Sequence, residues 1–132
     1  MRLSTFAIII TILAFGFGLA FVFMPVKLLA FYGIPLDASG IWLARFFGGS
    51  NLFIGMIFWS YSGVSSTAKS WPKLLVFSIL YDIMQLILTL MAILNGIGNS
   101  NSWSTVALYA LLAIGSMYFL GVCNKDRARV AI

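Results

Sequence analysis

An acidic residue lies inside one of the most apolar stretches of this chain, the segment 78–90, SILYDIMQLILTL. Polar residues recur in the segment at intervals of three or four positions: Ser78, Asp82, Gln85 and Thr89. In a helix this spacing puts all of them on one face. A carboxyl group in such a place could relay a proton, contact a cation or ligand, or hold helices together by hydrogen bonds.

The composition around Asp82 is that of a membrane protein. Of the 132 residues, 62% are hydrophobic and only 8% are charged, and the mean hydropathy is +1.07. A soluble domain carries about 25% charged residues. The net charge of +5 comes from scattered basic residues, so we expect the lipid bilayer and no nucleic acid as a partner.

The chain lacks the usual ligands and bases of enzymes. It has no histidine and one cysteine, Cys123, which excludes a disulfide within the chain. These counts also argue against zinc, haem or iron–sulfur binding and against a general base that titrates near neutral pH. We therefore expect no cofactor, no metal and no catalytic activity of the chain's own.

Four apolar segments are long enough to cross a bilayer, which takes about 20 residues in a helix. They cover residues 5–24, 41–60, 74–95 and 103–123, and stretches rich in proline, glycine or serine separate them. The sequence thus predicts an all-α fold, a four-helix bundle in a single transmembrane domain over residues 1–132. Six basic residues fall on the side of the termini and one, Lys27, on the other, which predicts that both termini are cytoplasmic.

Two segments allow a second interpretation. The first apolar segment begins with an arginine and ends in small residues, as a cleavable signal peptide does, although its apolar run continues through FVFM. The connector PVKLLAFYGIPLD, residues 25–37, is too short to span. It could lie in the membrane interface as an amphipathic turn, or form an ordinary connector.

Depth along the helices predicts a polar layer. At 1.5 Å per residue, Asp82 and Gln85 lie about 12 Å and 16 Å from the inner end of the third span, and Asn51 lies about 15 Å below the outer end of the second. These three side chains would share one level near the middle of the membrane. Asp82 is then either a hydrogen-bonding anchor opposite Asn51 or a functional site for a proton, cation or ligand.

Arg45 is predicted to lie about 6 Å from the outer surface, roughly 12 Å above Asp82. That separation is too long for a direct salt bridge unless a water, Gln85 or a local distortion of the helix bridges it. We expect the guanidinium either to extend outward to the interface or to pair with Asp37 or with a lipid phosphate.

Small and polar residues also predict which helix faces pack, because membrane helices associate through close backbone approach and interhelical hydrogen bonds. The second span offers Ala44, Gly48, Asn51 and Gly55, and the third offers the stripe from Ser78 to Thr89. The fourth span offers a weaker set, Ala110, Ala113, Met117 and Gly121.

The run AFYGIPLDASGIWLARFFGGSNLFIGMIFWS resembles small bacterial four-helix membrane proteins of unknown function. The residues that carry the resemblance are Tyr32 and Gly33 in the connector and Arg45, Gly48, Gly49 and Gly55 in the second span. It covers about a quarter of the chain. The resemblance implies this fold and a bacterial cytoplasmic membrane, and it implies no chemistry.

These features lead to one expected function and two alternatives. We expect a non-catalytic membrane protein that acts by association, as an accessory or scaffold subunit beside other membrane proteins or as a homo-oligomer. The first alternative is a carrier of a small solute, or one coupled to protons, built on Asn51, Asp82 and Gln85. The second is a protein that binds a lipid or another hydrophobic ligand.

Overall fold

The fold is all-helical, as the sequence predicts. A computed structural model describes residues 2–130, with the main chain alone at positions 127 and 130. Its five helices are α1 (Leu3–Phe23), α2 (Pro25–Phe31), α3 (Ala38–Tyr61), α4 (Trp71–Leu94) and α5 (Ser102–Val130). Four of them, α1, α3, α4 and α5 as far as Asp126, are long and apolar enough to cross a membrane.

Local chemistry explains where these helices start and stop. Asp37 precedes α3, and its Oδ1 accepts a hydrogen bond of 2.6 Å from the Gly40 N–H, which satisfies a free donor of the first turn. Pro72 lies in the first turn of α4, where a proline costs no hydrogen bond. After α4, Gly96 has a φ of +75°, a left-handed conformation that glycine adopts without strain.

The predicted spans agree with the helices to within a few residues, except at the end of α5. The prediction ended the last span at 123, whereas α5 continues through the charged tail to Val130. No glycine or proline interrupts residues 124–130, so nothing in the backbone stops the helix there.

The connector after α1 contains the short helix α2. Pro25 is its first residue and is buried, while Val26 and Phe31 are largely exposed. The Phe31 carbonyl at the end of α2 accepts hydrogen bonds from Asn99 Nδ2 (3.0 Å) and Asn101 Nδ2 (2.8 Å). Both asparagines belong to the segment between α4 and α5, so that segment is fastened to the end of α2.

The chain divides into two compact units. The first contains α1, α2 and α3 together with residues 96–101, and the second contains α4 and α5 with the loop from 64 onward. In the first unit α1 packs along α3, with α2 against both. In the second unit α4 packs along α5. The single domain over 1–132 stays a prediction.

Candidate functional site

The second unit encloses a buried carboxyl group. Asp82 of α4 is 4% exposed, and its Oδ2 accepts a hydrogen bond of 3.4 Å from Ser78 Oγ, one turn earlier. Ser116 of α5 has no exposed surface, and its Oγ donates to Ser78 Oγ over 3.3 Å. We call Ser78, Asp82 and Ser116 the hydroxyl–carboxyl cluster. It joins the two helices by a run of hydrogen bonds that ends on the carboxyl oxygen.

Gln85 belongs to a neighbouring group. Its Nε2 donates to the Tyr81 hydroxyl over 2.9 Å, and the Tyr81 ring meets the Tyr109 ring of α5 edge to face, with the ring centres 6.3 Å apart. Thr89 Oγ1 donates to the Gln85 carbonyl of its own helix over 2.8 Å. The predicted stripe on α4 is therefore divided between two groups, and Thr89 contributes through the backbone.

Among the described side chains of α4 and α5, no basic residue lies close to Asp82 along the helices. Lys73 precedes Asp82 by nine positions, about 13 Å, and Lys125 follows Ser116 by the same spacing. A buried carboxyl group without a cation beside it depends on hydrogen bonds for its stabilisation. In the described part of the chain, every buried side-chain nitrogen and oxygen has a hydrogen-bond partner. The cluster can therefore fasten α4 to α5, and its linked oxygens are also suited to carrying a proton.

Asn51 lies in the first unit. It is 8% exposed, and its Nδ2 donates to the Phe47 carbonyl, one turn earlier in α3, over 3.1 Å. The hydrogen bonds that the structure assigns to Asn51, Asp82 and Gln85 all stay within their own units. The layer shared by the three residues stays a prediction.

Gly48 and Gly55 lie where α3 meets α1. A Cβ at Gly48 would come within 2.8 Å of both the Gly18 carbonyl oxygen and Phe21 Cβ, so the two backbones approach as closely as glycine permits. One turn further into α3 from Asn51, the Gly55 carbonyl accepts a hydrogen bond of 3.5 Å from Thr11 Oγ1.

Arg45 lies on the exposed side of α3, away from Gly48 and Gly55. Its guanidinium carbon is 5.4 Å from the centre of the Trp42 ring, at a distance that allows a cation–π interaction. Asp37, one of the partners predicted for Arg45, uses its Oδ1 to cap α3. Extension of the guanidinium toward the membrane interface stays a prediction.

The face predicted for the last span is correct at Ala113 and wrong at Met117 and Gly121. Met117 is 48% exposed and Gly121 is also exposed, whereas the buried side of α5 carries Ala113, Ser116, Phe119 and Cys123. The prediction followed small residues and passed over Ser116. A useful signal was present, because Ser116 is the one hydroxyl residue between the two tyrosines of α5, Tyr109 and Tyr118.

Two further features bear on ligands. An apolar cleft of about 210 Å³ lies beside α1 and α2, lined by Ile12, Leu13, Gly16, Phe17, Ala20 and Leu28. It contains no titratable side chain. Among the residues that the structure describes, no group of three or more histidine, cysteine or acidic side chains could hold a metal ion.

Comparison of the chain with protein-family models, with curated proteins and with solved structures gives no match. The resemblance of the segment around Arg45 to small bacterial four-helix membrane proteins therefore stays a prediction. Function has to be inferred from the helices and from the two groups of polar side chains.

Proposed function

We propose that the chain is an integral protein of a bacterial cytoplasmic membrane, with four spans and both termini in the cytoplasm. The four long apolar helices support this proposal, as does the excess of lysine and arginine near the termini and around the start of α4, at Lys69 and Lys73. The contact of Asn99 and Asn101 with Phe31 also supports it. Four spans bring the first and third connectors to the same side of the membrane.

Single cysteines test this topology. In a Cys123→Ala background, Ser100→Cys should react with a membrane-impermeant thiol reagent added to intact cells, because Ser100 is exposed in the connector after α4. Thr67→Cys, exposed in the loop before α4, should react only after the cells are opened. The reverse pattern, or equal labelling of both sites in intact cells, would contradict the proposal.

The function that we propose is association: a non-catalytic accessory or scaffold subunit of a membrane assembly, or a homo-oligomer. One observation carries it: the hydrogen bond from Ser116 of α5 to Ser78 of α4 joins α5, through the Ser78 hydroxyl, to the buried carboxyl group of Asp82. Ser78 therefore donates to the carboxyl group and accepts from α5, so the polar residues of α4 help to pack the helix pair. Little of the α4 span is buried inside the structure, which leaves apolar surface for a partner protein or lipid.

Extraction into native-lipid particles through a C-terminal tag, followed by mass determination, tests this function. We expect a second protein, or a second copy of the chain, in a fixed ratio. A matched pair of variants sharpens the experiment. Asp82→Asn keeps a side chain that can accept from Ser78 and should retain the partner, whereas Asp82→Leu should loosen the α4–α5 pair and reduce the partner's yield. A monomer free of other proteins would contradict association.

A proton-coupled carrier is the alternative that the hydroxyl–carboxyl cluster favours. Ser116, Ser78 and Asp82 form a continuous run of hydrogen-bonded oxygens, and a carboxyl group within a span is often part of a proton path. In liposomes with an internal pH dye and an imposed potential, a carrier would acidify the interior and Asp82→Asn would stop it. Under the association hypothesis, wild type and Asp82→Asn give the same trace as empty liposomes.

The second alternative, a hydrophobic ligand, rests on the cleft beside α1 and α2. Its apolar lining suits an acyl chain or another hydrocarbon group, and it offers no polar group to orient a ligand. Organic extraction of the purified protein tests this alternative. A single retained compound in a fixed ratio, lost when Gly16→Phe fills the cleft, would favour ligand binding over association.

A further inference from the structure

A basic residue, Arg45, lies on an exposed and otherwise apolar face of α3. Arg45 is exposed there together with Trp42, Phe46, Phe53 and Met56, on the side of the helix opposite the buried Ala44, Gly48 and Asn51. A guanidinium group on a surface that otherwise suits lipid needs an anion or water, because a bare charge in hydrocarbon is costly.

The unit that contains Arg45 does not supply that anion. The chain has three acidic residues, and Asp37 is the only one in the first unit. Asp37 precedes Arg45 by eight positions, which corresponds to about 12 Å along a helix axis. Its Oδ1 accepts a hydrogen bond from the Gly40 N–H. No ion pair joins the described Arg45 and Asp37 side chains, so an anion bound to Arg45 would come from outside this unit.

The position of the guanidinium indicates the kind of anion. Arg45 is about 10 Å from the start of α3 at Ala38, while Trp42 is about 6 Å from it. The contact with Trp42 draws the guanidinium toward this end of the helix, in the direction in which helical side chains point. Tryptophan is enriched at the level of the lipid headgroups, so the guanidinium lies near that level and not near the bilayer centre.

The surface below Arg45 has room for a hydrocarbon chain. Gly49 follows Arg45 by one turn, and nothing lies within 4 Å of the position that a Cβ would occupy there. Phe46 and Phe53, both largely exposed, border this gap. The acyl chain of a phospholipid whose phosphate binds Arg45 would therefore have open space over Gly49, between Phe46 and Phe53.

We propose that Arg45 and Trp42 form a binding site for the phosphate of a membrane phospholipid, with one acyl chain lying along α3 over Gly49. Arginine binds phosphate oxygens through two parallel N–H groups, and stacking on an aromatic ring leaves that edge of the guanidinium free. The site rests on the proposed placement of α3 in a membrane, and it goes beyond association with proteins.

Native mass spectrometry of the purified, delipidated protein tests this site, with phosphatidylglycerol added to the detergent micelles as the probe. We expect Arg45→Gln to weaken the binding of one phospholipid about tenfold or more, because a charge-assisted hydrogen bond is lost. Arg45→Lys should give an intermediate loss, and Trp42→Leu should weaken binding without changing the net charge.

Matched controls separate this site from general attraction. Lys27 of α2 is also basic and exposed in the first unit, and Lys27→Gln should leave the binding unchanged. Equal loss in both variants, or no loss in Arg45→Gln, would overturn the proposal. Displacement of the lipid by excess inorganic phosphate would also overturn it, since the site would then take the free anion without the acyl chain.

The outcome also distinguishes a lipid from an acidic partner protein. Loss of a co-purifying protein in Arg45→Gln, with lipid binding intact, would assign the counter-charge to that protein and overturn the lipid site. Failure of the proposed membrane placement is seen separately, in the labelling of Ser100→Cys and Thr67→Cys. Circular dichroism of each variant confirms folding, and Trp42→Leu keeps the proposal testable should Arg45→Gln not fold.

Discussion

The two helix pairs of this protein are held together by different means. The pair α1–α3 relies on close backbone approach, with Gly18 and Gly48 facing each other. The pair α4–α5 relies on hydrogen bonds between side chains, from Ser116 through Ser78 to Asp82. Both means suit a helix pair in lipid, where burial of apolar area contributes little to association. A substitution therefore acts differently in the two pairs. In α1–α3 a larger side chain has no space, whereas in α4–α5 the loss of a polar side chain leaves another group without its hydrogen-bond partner.

The largest effect is expected from Gly48→Leu. The new side chain would meet the Gly18 carbonyl oxygen and Phe21 Cβ at 2.8 Å, and a backbone atom cannot rotate away. Overpacking costs typically 1–3 kcal/mol, and we expect the upper part of that range, about 3 kcal/mol. Unfolding in mixed micelles of mild detergent and dodecyl sulfate measures it. Gly49→Leu, one position on and facing open space, is the control, and similar losses in both variants would contradict close packing at Gly48.

A smaller loss is expected when space is removed in the second pair. Ser116 is fully buried against α4, so Ser116→Leu should overpack α5 by about 1–2 kcal/mol, less than Gly48→Leu because side chains can adjust around it. The same unfolding measurement applies. Met117→Leu is the control, because Met117 is half exposed. A stable Ser116→Leu protein would mean that α4 and α5 do not pack closely at this position.

The hydrogen bonds of the second pair should give a smaller effect still. Ser116→Ala removes one donor, and such bonds in membrane proteins average about 0.6 kcal/mol. Because Ser116 and Ser78 share a hydrogen bond, the loss in Ser116→Ala combined with Ser78→Ala should be less than the sum of the single losses. Thr89→Ala combined with Ser116→Ala serves as the additive control. Strict additivity of the two serine variants would exclude their direct coupling.

The smallest effect is expected at the half-buried tyrosine of α4. Tyr81→Phe removes the hydroxyl that accepts from the Gln85 amide and shares a hydrogen bond with Tyr109, but it keeps the ring that meets Tyr109. Because the side chain is only half buried and water can replace these partners, we expect a loss of no more than about 0.6 kcal/mol. Tyr118→Phe, on an exposed face of α5, should show no loss. If Tyr81→Phe lowers the free energy of unfolding more than Ser116→Ala does, the hydrogen bonds of Tyr81 and Gln85 contribute more to the stability of the α4–α5 pair than the hydroxyl–carboxyl cluster does.

The sequence predicted the long helices well because their limits depend on local chemistry. Apolar runs of about 20 residues define the spans, and Asp37, Pro72 and Gly96 mark ends by capping, a fixed φ and a left-handed turn. The sequence left the conformation of the α2 segment undecided, because seven residues are too few to show a clear helical periodicity of apolar side chains. It ended α5 too early because charge was taken as the end of the helix, whereas charge ends the apolar span and not the helical backbone.

The rotation of each helix was harder to predict than its length. Small residues identified the buried side of α3 correctly, where Gly48 allows a close approach. In α5 the same criterion identified the buried Ala113 but was wrong at Met117, and it missed the buried Ser116. Depth along a helix placed Asn51 and Asp82 at one level, but depth carries no information about the direction of a side chain. Their hydrogen bonds run to Phe47 and Ser78 of their own helices.

The hydrogen bonds from Asn99 and Asn101 to the Phe31 carbonyl affect the order in which the first unit can be completed during synthesis. Residues 96–101 complete the unit built by the first half of the chain, yet the ribosome makes them only after α4. The end of α2 therefore waits for its partners until most of the protein has been synthesised. A nick between α3 and α4 would leave the first fragment without its closing segment, and co-expressing the second fragment would restore it. The first half of the chain therefore does not by itself contain all the residues of the first unit.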